Sequence, residues 1–543
     1  MNAMHRFRVW APGKQHVDLV SDGRRAFMTE LDRGWWEASD VVAGPGTRYG
    51  FSIEGGETRP DPRSPSQPDG VLGLSQVVDH SRHSWTDSSW RGLSLPGLVI
   101  YELHVGTFSP EGTFDSVIQR LPHLVDLGVD AIELMPVAEF SGNRGWGYDG
   151  VDFFAPHHAY GGPSGLNRLV DACHAAGLGV VLDVVYNHAG PVGNFLGEFG
   201  PYFTDRYRTT WGTSFNFDGA GSDEVRRFVV DNALMWIREY HIDGLRLDAV
   251  HAIVDQSPLH ILEQVATEVN ALAAALDRSV LLFAETDAND PRLVRSSDAG
   301  GFGLDAAWAD DWHHALHVAL TAERAGYYED FSSPEQLGKA LRQAWVYDGM
   351  WSRHVNRTRG RKPTGLSPHA FVVAAQNHDQ VGNRAAGERL AALVDEGRLK
   401  AAAALLLTTP FTPLLFQGEE WAASTPFLYF TDHADPGLGK AVAEGRRREF
   451  AAFGWNREVP DPQDSSTFER SKLDWDEVDE PYHRGMLQWY RGLIALRRRL
   501  PAVAQRVLAQ VEGDRIVFER DGILVRVNLG VPDCAVVEIV ERA

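Results

Sequence analysis

The chain has 543 residues, 43% of them hydrophobic and 23% charged, which supplies a large core and excludes a disordered or collagen-like polymer. Lysine and arginine total 52 against 74 aspartate and glutamate, a formal net charge of −22, and that charge repels phosphate backbones and anionic headgroups, so neither nucleic acid nor a membrane surface is an expected partner. The two cysteines, Cys173 and Cys534, lie far apart without metal-ligand spacing and support neither a disulfide framework nor a zinc site.

At about 150 residues per domain the length suggests roughly three or four domains. Met1 to Trp10 alternates polar and apolar residues and lacks the apolar run of a secretory leader, so a cytoplasmic location is expected. Short alternating segments such as His5 to Trp10 and Val17 to Val20, punctuated by glycine and proline, predict an N-terminal β-sandwich over residues 1–90. The proline-rich stretch Asp61 to Gly73 reads as an ordered loop near its boundary.

From Leu98 the pattern changes to apolar strands separated by amphipathic helices, the signature of parallel βα units. Strands are predicted at Leu98–Phe108, Ala131–Pro136, Gly179–Val185, Gly244–Ala249, Val280–Glu285, Asp305–Ala309, Ala370–Ala375 and Pro413–Phe416. Helices are predicted at Phe114–Leu127, Ser164–Ala176, Asp223–Tyr240, Ile261–Leu276, His313–Ala325, Arg389–Leu407 and Tyr482–Leu500. Eight strands with alternating helices predict a closed (β/α)8 TIM barrel over residues 91–501, since a doubly wound sheet usually stops nearer six. The segment 189–221, rich in Gly, Phe and Tyr, is too long for a simple βα loop and reads as a functional insertion over the barrel mouth. The longest apolar run, Ala401 to Phe416, is interrupted by Thr408, Thr409, Pro410, Thr412 and Pro413, so it predicts a buried helix meeting a buried strand instead of a membrane span. Alternation over Arg515 to Val540 predicts a small C-terminal antiparallel β-domain within residues 502–543.

Barrel enzymes build their sites at the C-terminal ends of the strands. Polar residues follow apolar runs there in VVLDVVYNH (Val180–His188), GLRLDAVH (Gly244–His251), LLFAETD (Leu281–Asp287) and VVAAQNHDQ (Val372–Gln380). Period-two alternation puts Arg246 and Asp248 on the axis side and Leu245 and Leu247 on the helix side. An arginine beside Asp248 favours the carboxylate a nucleophile needs, whereas Glu285, closing an apolar run, is expected to hold a proton as a general acid. Neighbouring strands lie about 4.8 Å apart, so their ends can supply the separation of about 5–5.5 Å between the carboxyls of a retaining glycosidase. Taken singly, a strand-end carboxylate is more often a cap or ion-pair partner, and Asp183 reads as structural. His188, His251 and His378, each alone, read as hydrogen-bonded histidines. Recurrence on four strands favours chemistry, because such groups are costly to bury unless they are used.

The segments DVVYNH, GLRLDAVH, AETD and QNHDQ resemble, in order and in barrel position, the α-amylase family of glycoside hydrolases. YELHVGTFSPEGTF (Tyr101–Phe114) and RGWGYDGVDFFAPHHAYG (Arg144–Gly161) are similar to the subgroup that carries an N-terminal β-sandwich. Within it, QNHDQVGNRAAGERL (Gln376–Leu390), PFLYFTDH (Pro426–His433) and EGRRREFAAFGW (Glu444–Trp455) are most similar to the trehalohydrolase branch. The resemblance implies Asp248 as nucleophile, Glu285 as general acid/base and Asp379 as a third carboxylate on sugar hydroxyls. It implies substrate contacts from Tyr148, stacked on a sugar face, from Arg246, which orients Asp248, and from His188 and His378. His251 stands where many relatives have a lysine, on the leaving-group side, and Arg384 is a further binding candidate. The residues from Asp310 to His314 and the loop after Asp379 are expected to help recognise the leaving group. The implied substrates are maltooligosyltrehalose and related α-glucans, with no cofactor; segment 189–221 shows no acidic cluster like the calcium site of secreted amylases, so no required metal is expected. Glycogen branching and isoamylase-type debranching remain alternatives, and a non-catalytic amylase-like binding protein would typically have lost a carboxylate that is present here.

Overall fold

The computed structural model describes residues 5–39, 41–209, 211–452, 459–504, 506–530 and 536–541. Cys534 and the end of the stretch from Glu444 to Trp455 lie outside them. The expected barrel is present, built from β1 (Ile100–Leu103), β2 (Ala131–Leu134), β3 (Gly179–Val184), β4 (Gly244–Leu247), β5 (Leu281–Ala284), β6 (Ala306–Trp308), β7 (Phe371–Ala374) and β8 (Thr412–Phe416). These strands follow chain order around the ring, all neighbours parallel, and β8 closes on β1. Each strand is buried along its whole length, as expected where side chains fill the axis and helices cover the outside.

Strand parity sorts the side chains. Leu245 and Leu247 point outward into the large apolar cluster shared with the helices. Ile100, Ala131, Val181, Phe283, Trp308 and Leu414 form a separate cluster inside the barrel. One step toward the strand ends, the inward positions become charged: the registers pair Glu102 with Glu133 and Asp183 with Arg246, and all four are buried. The apolar plug is the floor and the charged layer the base of the site.

The outer helices include α1 (Phe114–Ile118), α2 (Leu121–Leu127), α3 (Gly162–Ala175), α4 (Ser222–Glu239), α5 (Ile261–Leu276), α6 (Asp310–Thr321), α7 (His378–Gly382), α8 (Glu396–Thr408) and α9 (Pro481–Arg499). Several bounds differ from the sequence expectations for local reasons. The strand predicted over Leu98–Phe108 stops at Leu103, and Val105–Phe108 forms a helical turn. The helix predicted at Phe114–Leu127 is two, because Pro122 sits in the first turn of α2, where its missing N–H is tolerated. The helix predicted from Arg389 begins at Glu396, where Asp395 accepts the Arg398 N–H at 3.0 Å. The helix predicted at His313–Ala325 starts at Asp310 and ends where Ala322 turns left-handed at φ 61°. Periodicity did not reveal the helix Pro334–Gln343, set by a Ser333/Gln336 capping box, or the hairpin Asp348–Ser352 with Arg357–Gly360.

Near the N-terminus, a three-stranded and a five-stranded antiparallel sheet share a core that includes Phe7, Val9, Leu19, Trp36 and Phe51. At the other end, four antiparallel strands span Val507 to Glu541. Arg520 from these strands and Arg497 from α9, both buried, each donate to the Thr409 carbonyl at 2.7 Å, satisfying the C-terminal end of α8. Segment 189–221 contains a hairpin, Phe203–Thr209 with Gly212–Phe215, and Trp211 lies in its turn.

Candidate active site

The parallel ladder runs one residue beyond β4 and β5. The Asp248 N–H donates to the Val184 carbonyl and the Glu285 N–H to the Leu247 carbonyl, both at 3.0 Å, so both carboxyl-bearing residues are fixed by barrel backbone. Directly after Asp248 the chain turns sharply: Ala249 adopts φ 42°, ψ 50°, a left-handed conformation costing a non-glycine residue about 1–2 kcal/mol. In that turn the Ala249 N–H donates to Glu285 Oε2 at 2.6 Å.

Arg246, fully buried, is the hub. Its Nη1 lies 2.6 Å from Asp183 Oδ2 and 3.0 Å from Asp248 Oδ1, and its Nη2 lies 3.8 Å from Glu285 Oε2. The guanidinium carbon sits 4.3 Å from the centre of the Trp308 ring, a cation–π contact that seals the underside. Asn187 Nδ2 donates to the other Asp248 oxygen at 2.8 Å and to the Asp248 carbonyl at 2.9 Å. The nucleophile candidate is thus held on both oxygens, with its side chain 13% exposed.

Surroundings differentiate the carboxyls. Burial pushes Glu285 well above the ordinary glutamate value, Arg246 opposing and the negative charges of Asp248, Asp310 and Asp379 adding to the rise. It therefore keeps a proton to higher pH than a free glutamate. Burial also raises Asp183, to about 6 against the pull of Arg246. Glu133, in the charged layer below, is raised well above its ordinary value by burial and by Glu102.

A hydrogen-bonded chain spans the far wall. Glu102 Oε1 accepts from His378 Nδ1 at 2.5 Å, His378 Nε2 lies 2.7 Å from the Tyr148 hydroxyl, and that hydroxyl donates to Asp183 Oδ2 at 2.7 Å. Burial lowers the His378 pKa, but Glu102 and Asp379 outweigh it and bring it up to about 9, so the imidazolium donates from both nitrogens. Tyr148 reaches this position because Gly147 takes φ +99° and leaves no room for a Cβ, which would come 2.2 Å from the Pro136 carbonyl oxygen. Asp379, more open with a side chain 43% exposed, lies 3.5 Å from His378 Nε2 on one-turn helix α7, where Asn377 Oδ1 accepts its N–H at 2.9 Å.

The structure thus brings together Asp248, Glu285, Asp379, Arg246, Tyr148 and His378. His188 Nδ1 is in short contact with Asn187 Oδ1, and its ring stacks on Trp211 at 5.6 Å. The exposed His251 lies 6.4 Å from that tryptophan. Arg384 is engaged by Glu323 at 2.8 and 2.9 Å. Sequence reasoning left out Asn187, Glu102 and Trp211. The first two were visible as polar residues within the DVVYNH and YELHVG segments, but Trp211 carried no signal, since only the fold of the hairpin brings it to His188.

Among the described residues one group offers metal-type ligand atoms within 4.8 Å of one another, Glu139, His157 and His158. His158 Nδ1 stands 2.7 Å from Glu139 Oε1, and the His158 N–H donates to Oε2 at 2.8 Å, the arrangement of a carboxylate hydrogen-bonded by imidazole. No described helix is long and apolar enough to cross a membrane.

The chain is similar to known proteins in sequence and fold. The α-amylase catalytic-domain model matches residues 66–207. A malto-oligosyltrehalose trehalohydrolase of Arthrobacter ramosus is 52% identical over 97% of this chain and 94% of its own. One from Rhizobium sp. (strain M-11) is 50% identical over 92% of this chain and 86% of its own. A crystal structure of a protein described as an α-amylase of Salmonella typhimurium superimposes with a TM-score of 0.90 at 40% identity, covering 96% of this chain and 90% of the other. Identity at this level along nearly the full length of both chains means that the chain belongs to the α-amylase family of glycoside hydrolases, in its malto-oligosyltrehalose trehalohydrolase branch.

Proposed function

We propose that the protein is a retaining glycoside hydrolase that cuts the α-1,4 bond joining a maltooligosaccharide to its terminal trehalose unit, releasing trehalose in the cytoplasm. The observation that carries the chemistry is the shared guanidinium: Asp248 and Glu285, from adjacent strand ends, both face Arg246 while their surroundings differ. The substrate assignment is supported by the curated relatives. The unpaired, buried Cys173 fits a reducing compartment.

Glu285 transfers its proton to the glycosidic oxygen as Asp248 attacks the anomeric carbon, and the carbon–oxygen bond to trehalose breaks through an oxocarbenium-like transition state. A covalent glycosyl-enzyme results. Glu285, now a carboxylate, takes a proton from water as that water attacks the same carbon from the vacated side, and Asp248 leaves. Two inversions retain the α configuration. Arg246 and Asn187 hold Asp248 in line, Asp379 and the His378 imidazolium bind hydroxyls of the attacked sugar, and Tyr148 lies against its face. His188 and His251 extend the cleft, with Arg384 a more distant binding group.

Incubating purified protein with maltooligosyltrehalose, amylose and glycogen tests the reading. Trehalose release from the first substrate is expected. New branch points would instead establish a branching enzyme, which shares the three carboxylates but passes the glycosyl group to a sugar hydroxyl; linear chains freed from glycogen would establish debranching.

A further inference from the structure

We propose that Asp310 is a fourth carboxyl group of the active site, a positioning residue that steadies the helical turn carrying Asp379 and whose charge acts on the proton of Glu285. The inference deepens the proposed hydrolase reading and rests on it.

Strand parity leads to Asp310 as it leads to the other two carboxyls. Ala306 and Trp308 of β6 point into the barrel. The Ala309 N–H still donates to the Val372 carbonyl at 2.9 Å, so the barrel ladder persists to that residue and Asp310 takes the next inward position. Asp248 stands in the same relation to Arg246, and Glu285 to Phe283. Asp310 is partly buried, between Glu285 after β5 and Asp379 after β7 in the order of the ring.

Among the described residues, its side-chain hydrogen bond runs to the machinery. Gln380 Nε2 lies 3.5 Å from Asp310 Oδ1. The Gln380 Oε1 accepts the Asn377 N–H at 3.1 Å, while Asn377 Oδ1 accepts the N–H groups of Asp379 at 2.9 Å and of Gln380 at 3.3 Å. This reciprocal box fixes the start of α7. Asp310 faces the amide that closes it.

The charges facing Asp310 are Asp379 from α7, Asp287 after β5, Asp311 from its own helix and Arg246 from β4; Asp287 is itself paired with Arg359 at 2.8 Å. Burial first, then the three aspartates, raise Asp310 to about 7, Arg246 opposing. Those facing Glu285 are Arg246, Asp248, Asp310 and Asp379. The phenol of Tyr327, pushed up to about 12 chiefly by burial, lies in the field of Asp379 and Asp310 as well. As pH rises through neutrality Asp310 becomes an anion, and an anion there opposes loss of the Glu285 proton. The alkaline limb of the activity profile is thereby carried to higher pH.

The test is the pH dependence of kcat and kcat/KM for trehalose release from maltooligosyltrehalose by wild type, Asp310→Asn and Asp310→Ala. Asp310→Asn keeps the shape of the protonated acid and removes the charge, so its acid limb is expected to match wild type. Its alkaline limb is expected to fall by about one pH unit, the coupling of two carboxylates in one cleft at an effective dielectric near 20. Asp310→Ala is expected to show the same shift and a lower kcat at acid pH, because Gln380 loses its partner. An alkaline limb in Asp310→Asn within about 0.2 unit of wild type overturns the proposal, whether or not Asp310→Ala folds. Wild-type protein that releases no trehalose would overturn the hydrolase reading instead.

Discussion

Replacing Arg246 by methionine would strike the charged layer at its centre. The guanidinium is 0% exposed and lies 2.6 Å from Asp183, 3.0 Å from Asp248 and 3.8 Å from Glu285. Methionine fills much of the volume but leaves the carboxyls without their counter-charge, a loss of about 3–5 kcal/mol for a buried pair broken on one side. The loss has a pH signature. Asp183 already titrates near 6 in the folded protein, raised above an ordinary aspartate by burial, and without Arg246 it rises further. A raised group stabilises the fold fully below its unfolded pKa and loses that contribution as pH climbs to the folded value. Below about pH 6 both forms hold the Asp183 proton; above it the deficit of the variant grows by up to about 1.4 kcal/mol per unit until the new pKa is reached. Urea unfolding followed by tryptophan fluorescence at pH 5.5 and 8.0 measures both quantities. A deficit below about 1 kcal/mol that is equal at the two pH values would refute the view that Arg246 is the counter-charge of this cluster.

Asp248→Asn and Glu285→Gln are each expected to lower trehalose release by factors of about 10² to 10⁴ or more with thermal unfolding little changed; near wild-type turnover in either, measured by trehalose quantification, would remove that residue from the mechanism. Glu133→Gln is expected to be tolerated, because burial and Glu102 raise the glutamate pKa well above its ordinary value and the amide mimics its protonated form. The wild-type contribution is complete below the unfolded glutamate pKa and is lost as pH rises toward the folded one, so calorimetry should find the glutamine variant the more stable form at pH 8 and not at pH 4.5; equal destabilisation at both would show that the anion is needed.

The barrel was legible because each strand is apolar throughout and each is followed by an amphipathic helix. Asp248 and Glu285 were legible by the same rule, as inward-parity residues just past apolar runs. Helix bounds were less so, since they depend on single capping groups such as Asp395 and on Pro122 within a continuous apolar pattern. Trp211 shows where a linear reading stops, because it reaches the cleft only through the hairpin that carries it to His188. Asp310 was expected among the groups that recognise the leaving group, but its contact with Gln380, 70 residues away in sequence, follows only from the fold. The pairing of Arg384 with Glu323 likewise depends on a helix end, Ala322, that periodicity placed a few residues late.

If Asp248 and a proton-bearing Glu285 act on opposite sides of one glycosidic bond through a covalent intermediate, the configuration of the attacked carbon is retained. Proton NMR of the anomeric signals during the first minutes of maltooligosyltrehalose hydrolysis reads that configuration. The newly freed maltooligosaccharide end is expected as the α anomer, mutarotating only later; a β anomer appearing first would rule out the double displacement.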